Sequence, residues 1–258
     1  MMTADVTAWQ PAACAAAGGA LGLIAGSFLA TIVIRWPEGR GIATGRSACD
    51  GCGRTLGPLD LVPLLSFAVQ RGRCCTCGVA IDPRHPLIEG GCALVGVAAL
   101  LVAPGWNGLA GAMFGWLLIA LAALDVEHQW LPDRLTLPLA VLGFAGGALQ
   151  LPPLLLDRAI GAAAAFASLW LIGWSYRRLR GREGLGGGDP KLFGAIGAWL
   201  GWQVLPFVLL LASLAGLGAI AAMTLRGQAV TATTRLPFGA LLAVAAFPVW
   251  LVTAVLWR

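Results

Sequence analysis

Two aspartates beside apolar segments are the residues of this sequence best placed for acid–base chemistry. Asp125 follows the apolar run 116–124, where a carboxylate at the end of a helix opposes the helix dipole and gains no stability from it. The alternative for Asp125 is an ordinary solvated charge. Two carboxyl groups brought together share a proton, because repulsion and desolvation raise one pKa. Asp125 and Asp189 together would then supply the base that activates water and the acid that protonates a departing amide nitrogen, as aspartic proteolysis requires.

Asp189 stands in an unusual glycine-rich setting. It follows the stretch 184–188 and precedes Pro190. Asp before Pro is a common helix start, but three successive glycines are more than a helix start requires. Glycine permits a positive φ and close approach of another backbone, so the stretch predicts a place where an extended peptide lies.

Four cysteines form two CxxC pairs in the one large polar segment: Cys49, Cys52, Cys74 and Cys77. This spacing predicts a tetrahedral zinc site, with Gly51, Gly53 and Gly78 permitting the turns that aim the thiolates inward. Disulfides or free thiols are the alternative, but structural disulfides are rare in the reducing compartment that the charge pattern indicates. Cys14 and Cys92 lie in apolar runs and are expected to be buried as small hydrophobic residues.

The composition requires that these residues be carried by a membrane protein. Of the 258 residues, 59% are hydrophobic and only 11% are charged, whereas about 25% are charged in a soluble domain. The mean hydropathy is +0.83. These values exclude a soluble enzyme, a nucleic-acid-binding domain and a small secreted disulfide protein. The 36 glycines and the long Ala, Leu and Val runs favour a helical bundle over an outer-membrane barrel.

Eight apolar runs predict an all-α polytopic bundle of about eight transmembrane helices. They cover residues 7–34, 87–103, 107–124, 134–151, 158–176, 190–201, 203–225 and 236–257, and the sixth is short for a crossing. The zinc loop then connects helices 1 and 2. Asp133 and Asp157 precede apolar runs and are expected to cap the N-termini of their helices.

The basic residues predict the orientation. If the polar loop after the first helix is cytoplasmic, all of the 17 Lys and Arg residues except Arg158 and Arg258 lie on the cytoplasmic side. This asymmetry explains the net charge of +5 without a nucleic-acid partner.

Other chemistries have weaker support. The chain has two histidines and no GxSxG motif, so a histidine-based triad or an HExxH zinc site has little to draw on. A proton- or ion-coupled transporter is the alternative function, because carboxylates and glycine-broken helices also occur there.

The sequence resembles the type IV prepilin peptidases over nearly its whole length. The resemblance lies in the order of several segments: GSFLATIVIRWP (26–37), the two CxxC pairs, VPLLS (62–66), RHPLIE (84–89), LDVEHQWLPDRLTLPL (124–139), GGGDPKLFGAIGAWLG (186–201) and LPFGALLA (236–243).

This resemblance implies a bifunctional enzyme of the bacterial inner membrane. Such enzymes cleave the basic leader of prepilins or pseudopilins at the cytoplasmic face. They then methylate the new N-terminal residue with S-adenosylmethionine, in type IV pilus or type II secretion systems. The expected partners are these precursors and membrane lipids.

The resemblance also implies a role for individual residues of this chain. By position, Asp125 and Asp189 are expected to be the catalytic pair. Gly186 and Gly188 are the glycines of the GxGD motif, and Lys191 is a site-shaping residue. The four cysteines bind the metal. The expected domains are a first transmembrane helix (1–34), a zinc loop associated with methyl transfer (35–86) and an embedded peptidase domain (87–258).

Two positions depart from the family pattern. Ala30 and Leu61 stand where the family usually has Asn. Both lie in the half that the family links to methyl transfer, so the resemblance supports cleavage more strongly than methylation.

Overall fold

The computed structural model describes residues 11–42, 47–182, 184–229, 231 and 236–256. These residues form α1 (Pro11–Arg35), α2 (Leu65–Val69), α3 (Arg84–Val102), α4 (Trp106–His128), α5 (Asp133–Ala148), α6 (Leu155–Arg180), α7 (Asp189–Leu200), α8 (Leu205–Leu225) and α9 (Phe238–Leu256), with a short 3₁₀ helix at Pro58–Leu61. Pairing between extended segments in the described ranges is limited to two isolated bridges. The predicted all-α class is therefore confirmed.

Six of these helices are long and apolar enough to cross a membrane: α1, α3, α4, α6, α8 and α9. The two others that sequence analysis counted as spans have 16 residues (α5) and 12 residues (α7). At 1.5 Å per residue they measure only about 24 and 18 Å, against a hydrocarbon thickness of about 30 Å. The protein is a multi-pass membrane protein, but the expected count of eight spans is not confirmed.

The chain divides into two compact units, an N-terminal unit (residues 1–120) and a C-terminal unit (121–258). This division follows contacts between helices, whereas the ranges predicted from sequence follow polarity. Three positions of the orientation argument, Arg46, Arg235 and Arg258, lie outside the described residues, as do residues 1–10 at the start of the predicted first domain.

In the N-terminal unit, α1 and α3 pack through small residues. Gly18, Gly22 and Gly26 recur every fourth residue and are buried on one face of α1. A Cβ built on Gly18 would lie 2.3 Å from the carbonyl oxygen of Gly96, so the two backbones touch. Small residues at this spacing let membrane helices associate closely. Cys14 continues the same face, and both it and Cys92 of α3 are buried free thiols, as expected.

In the C-terminal unit, α7 is enclosed by α5 and α6. Every residue of α7 except Lys191 is buried. A Cβ on Gly143 of α5 would lie 2.8 Å from the Ala198 carbonyl oxygen, and one on Gly197 would lie 2.4 Å from the Gly161 carbonyl oxygen of α6. These glycine contacts fix the position of a helix that is too short to span a bilayer.

A buried arginine ties the end of α7 to its neighbours. Arg158 of α6 is 2% exposed. Its guanidinium donates hydrogen bonds to five backbone carbonyl oxygens, those of Gly143, Leu151, Pro152, Pro153 and Ala198. The last carbonyl groups of a helix have no partner within it, and Ala198 is among those of α7; Arg158 joins this carbonyl to carbonyl groups of α5 and of the following loop.

The predictions that Asp133 and Asp157 cap the N-termini of their helices are wrong. The N-cap of α5 is Pro132, and Asp133 is the first helical residue. Asp157 lies inside the first turn of α6, where Oδ1 accepts a hydrogen bond from the indole nitrogen of Trp202. In both cases the helix begins earlier than the apolar run, so the carboxylate is already in the helix and bonds to a side chain elsewhere.

Candidate functional site

Asp125 is held by the start of another helix. It lies in the last turn of α4 and is 5% exposed. Its Oδ2 accepts a 2.8 Å hydrogen bond from the N–H of Ala240, and the backbone of Gly239 lies close to the same carboxylate. The Ala240 N–H is a donor without a partner inside the helix, in the first turn of α9, where the helix dipole favours a negative charge. Asp125 is therefore not a solvated charge at the end of α4.

Asp189 is the first residue of α7. It is 6% exposed, and its Oδ2 accepts a 3.0 Å hydrogen bond from the N–H of Gly186. Asp189 lies outside the six candidate spans. Burial, followed by the charge of Asp125, raises the pKa of its carboxyl group to about 6.

Glycine is required around this pair because there is no room for a side chain. A Cβ on Gly239 would lie 3.0 Å from Oδ2 of Asp125 and 2.7 Å from Cδ1 of Leu131. A Cβ on Gly188 would lie 2.8 Å from Cβ of Leu131, and the φ of Gly188 is −82°. The positive φ expected for the glycine-rich stretch is absent from the described glycines 184 and 186–188. At Gly188 the close neighbour is the Leu131 side chain and not a backbone.

Lys191 links the starts of α7 and α5. Its Nζ donates to both carboxylate oxygens of Asp133, at 2.7 and 2.9 Å. Both side chains are about half exposed, so the pair contributes about 1 kcal/mol or less. Lys191 thus helps to place the helix that begins with Asp189 without touching that carboxylate.

The arrangement of the two aspartates is suited to general acid–base catalysis. Burial and the charge of Asp125 disfavour ionisation of Asp189, so the pair can hold one ionised and one protonated carboxyl group. The ionised member can accept a proton from water, and the protonated member can give one to a leaving group.

The four cysteines of the N-terminal unit converge on one point. The sulfur atoms of Cys49, Cys52, Cys74 and Cys77 all lie within 4.8 Å of one another. Each CxxC pair forms a knuckle closed by a hydrogen bond from a positive-φ glycine, Gly53 to Cys49 and Gly78 to Cys74. Gly51 has a different role, since a Cβ there would lie 2.8 Å from Cγ1 of Val79.

The cysteine geometry fits a tetrahedral metal ion. Four sulfurs bound to zinc at about 2.3 Å stand about 3.8 Å apart, and the sulfurs of Cys49 and Cys77 are 3.8 Å apart. The backbone N–H groups of Cys77 and Thr76 lower the pKa of the Cys74 thiol to about 6, which favours the thiolate that a metal binds. A fifth cysteine nearby, Cys75, is not part of the cluster and accepts a hydrogen bond from Arg54.

Comparison with known proteins identifies the family. Residues 112–221, which contain both aspartates, match the model of the type IV leader peptidase family. Residues 20–103, which contain the four cysteines, match the bacterial peptidase A24 N-terminal domain. A prepilin leader peptidase/N-methyltransferase from Aeromonas hydrophila is 44% identical over 218 residues, covering 82% of this chain and 71% of that protein.

The chain belongs to the type IV leader peptidase family. Other relatives of the same name come from Pseudomonas aeruginosa, 36% identical over 261 residues (92% of this chain and 88% of that protein), and from Klebsiella pneumoniae, 44% identical over 201 residues (74% and 87%). No solved structure gives a significant match. The leader peptidase family confirms the predicted resemblance, and nothing in these relatives supports a transporter.

Some contributors to the leader peptidase site were missed in the sequence. The N–H of Ala240 and the backbone of Gly239 lie against Asp125, but a backbone group carries no residue-type signal. The only indication was the segment LPFGALLA (236–243), which contains both residues and to which no role was assigned.

Proposed function

We propose that this protein is a membrane aspartic endopeptidase that removes the basic leader of type IV prepilins or pseudopilins. The observation that carries the proposal is that two buried aspartates flank one side chain: Gly188, which precedes Asp189, and Gly239, which lies against Asp125, both pack against Leu131. Membership of the type IV leader peptidase family supports the reaction and the class of substrate. In this proposal Asp125 and Asp189 are the catalytic residues.

The two carboxyl groups divide the work of peptide hydrolysis. The ionised carboxylate takes a proton from water, which attacks the scissile carbonyl carbon. The protonated carboxyl group gives its proton to the departing amide nitrogen. The lack of side chains at Gly186 and Gly188 leaves room for the Asp189 carboxylate and for Leu131, and Lys191 fixes the start of α7 through Asp133.

The cysteine cluster is proposed to bind one structural zinc ion. A loop of this size has too few bulky apolar residues to form its own core, so the metal organises it. The names of the relatives support a second reaction, methylation of the new N-terminal residue with S-adenosylmethionine. We assign this activity to the region around the zinc loop (35–86) and cleavage to the embedded domain (87–258).

The active site is proposed to face the cytoplasm of the bacterial inner membrane. The polar segment between α1 and α3 is rich in arginine, and basic loops of membrane proteins remain on the cytoplasmic side. Anionic lipid headgroups are expected to contact the same basic residues.

Processing of a precursor in cells tests the proposal. A prepilin or pseudopilin is co-expressed with the wild-type protein, with Asp125→Asn or with Asp189→Asn, and the leader is followed by mass spectrometry. Wild type is expected to release the leader, and each variant is expected to leave the precursor intact. Asp157→Asn is the matched control, because Asp157 lies near the far end of α7 and accepts a hydrogen bond from Trp202 that an asparagine oxygen can also accept. Normal processing by either Asp125→Asn or Asp189→Asn would refute the proposal.

A further inference from the structure

A cavity of about 280 Å³ lies beside the metal knuckles of the N-terminal unit. Its wall is built from the end of α1, the start of α3, the segment around α2 and the two cysteine knuckles. Each part contributes lining residues, such as Thr31 from α1, Glu89 from α3, Phe67 from α2 and Cys74 from a cysteine knuckle. The wall combines apolar residues with many polar and charged ones, so a ligand that binds there must itself be polar or charged.

Three of the four acidic residues in the wall are neutralised by arginines. Asp50 pairs with Arg40 at 2.8 Å, and Asp60 pairs with Arg54 at 3.0 Å. The third, Asp82, pairs with Arg84. These carboxylates need no ligand to balance their charge.

Glu89 is the exception. It is 7% exposed, and its Oε2 accepts one hydrogen bond, 2.8 Å long, from the N–H of Leu64. Within the part of the chain that the structure describes, it takes part in no ion pair. His85 lies one turn earlier on α3, and both His85 and Arg35 line the same cavity. Buried carboxylates are normally paired with a cation, and since none of the described ion pairs joins Glu89 to Arg35, Glu89 is free to pair with a positive group of a ligand.

We propose that Glu89 binds the α-amino group of the peptide that the protein methylates, and that it accepts the proton which this amine must lose. The inference rests on the proposed function. A carboxylate has about four acceptor positions, and the Leu64 N–H occupies one of them. An ammonium group offers three N–H donors for the remaining positions, and both the peptide and S-adenosylmethionine carry an α-ammonium group. Of these two nitrogens only that of the peptide must lose a proton before it can take a methyl group, and a buried carboxylate can accept that proton, which favours the peptide amine.

Transfer of a proton to Glu89 makes the amine reactive. The ammonium gives one proton to the carboxylate, and the nitrogen lone pair becomes free. When bound, S-adenosylmethionine supplies the methyl group: the nitrogen–carbon bond forms as the carbon–sulfur bond breaks, and the electron pair of that bond remains on sulfur. The methylated nitrogen keeps the positive charge, and Glu89 later releases its proton to water.

A purely structural role for Glu89 can be separated from this one. The φ of Leu64 is +58°, a strained value for leucine, and the bond from its N–H to Glu89 stabilises that turn. Glu89→Gln keeps an acceptor oxygen for the Leu64 N–H and removes only the charge. Asp82→Asn is the matched control, because Asp82 lines the same cavity and is paired with Arg84.

Binding to the full-length protein in lipid nanodiscs tests the proposal. The probes are a synthetic peptide that begins with Phe and has a free α-amine, the same peptide acetylated at that amine, and S-adenosylmethionine. Wild type and Asp82→Asn are expected to bind the free-amine peptide about tenfold to a hundredfold more tightly than the acetylated one, as for a charge-assisted hydrogen bond in a buried site. Glu89→Gln is expected to lose this preference and keep its affinity for S-adenosylmethionine.

Cleavage of a precursor by the same samples separates this inference from the proposed function. A wild-type protein that cleaves but shows no preference for the free amine would overturn the inference alone, and this comparison needs no variant. An unchanged preference in Glu89→Gln would also overturn it. A loss of affinity for S-adenosylmethionine alone would assign Glu89 to S-adenosylmethionine and refute the assignment to the peptide amine. Absence of cleavage by wild type would instead refute the proposed function.

Discussion

Replacement of Arg158 by methionine tests whether a buried cation holds α7 in place. Five hydrogen bonds from this guanidinium reach backbone carbonyl groups of α5, the following loop and α7. Methionine has a similar length but no donor, so all five carbonyl groups lose this partner. α7 begins with Asp189 and ends near Ala198, and loss of the bond to Ala198 frees the end of the helix that is remote from the active site.

The size of the effect follows from two opposing contributions. A hydrogen bond to a charged group contributes about 1.5–3 kcal/mol to stability. Adding this value for all five bonds overestimates the effect of the substitution, because it leaves out the cost of burying the charge. Methionine also removes the cost of burying the cation, which is several kcal/mol. Breaking a buried charged network by deleting one member costs about 3–5 kcal/mol, and we expect a loss of stability in this range for Arg158→Met.

Reversible unfolding in mixed micelles measures this loss, and cleavage of a precursor peptide measures its effect on Asp189. Arg180→Met is the control, because Arg180 lies on the same helix and is exposed; its stability is expected to change by about 0.5 kcal/mol or less. If Arg158→Met were as stable and as active as wild type, the proposed role of Arg158 in fixing α7 would be wrong.

Three further predictions concern the active site and the metal. Gly239→Ala is expected to lower kcat at least about tenfold, because the new Cβ would lie 3.0 Å from Oδ2 of Asp125 and a displaced catalytic group costs about that much or more; an unchanged kcat would contradict the crowding. The cleavage rate is expected to fall as the pH rises through and above the pKa of Asp189, about 6, because the acid loses its proton, and to fall again at lower pH when the base is protonated; a rate that rises steadily across this interval would contradict the shared proton. Cys77→Ser is expected to lower bound zinc, measured by elemental analysis, from about one ion per chain to a small fraction of that, because a structural site needs all four ligands; retention of a full equivalent of zinc would rule out the tetrathiolate site.

The residues of the site were more predictable than the contacts that hold them. Asp125 was predicted because a carboxylate at that end of a helix has no favourable interaction with its own helix dipole. The structure supplies a favourable one from the start of α9, through Ala240. This contact joins residues 115 positions apart, and its donor is a backbone group. Sequence patterns record side-chain types and local spacing, so such a contact is not visible to them.

The metal cluster could be predicted from the sequence, whereas the number of membrane spans could not. The cysteine spacing predicted the cluster because each CxxC knuckle is a local structure whose glycine turns can be read from the sequence. The number of spans depends on helix length. α7 is as apolar as a membrane span, but it ends after 12 residues at Gly201, whose φ is +72°. Apolar composition indicates burial, and for α7 the burial is provided by α5 and α6 and not by lipid.

The measurement that tests the central claim most directly compares the cleavage rates of Asp125→Asn, Asp189→Asn and the double variant. All three are purified in the same lipid and checked for wild-type stability. If the two carboxyl groups act as one unit, each single substitution lowers kcat at least about a thousandfold, and the double substitution is no worse than either alone. Near-normal turnover by one single variant, or losses that multiply in the double variant, would contradict the account.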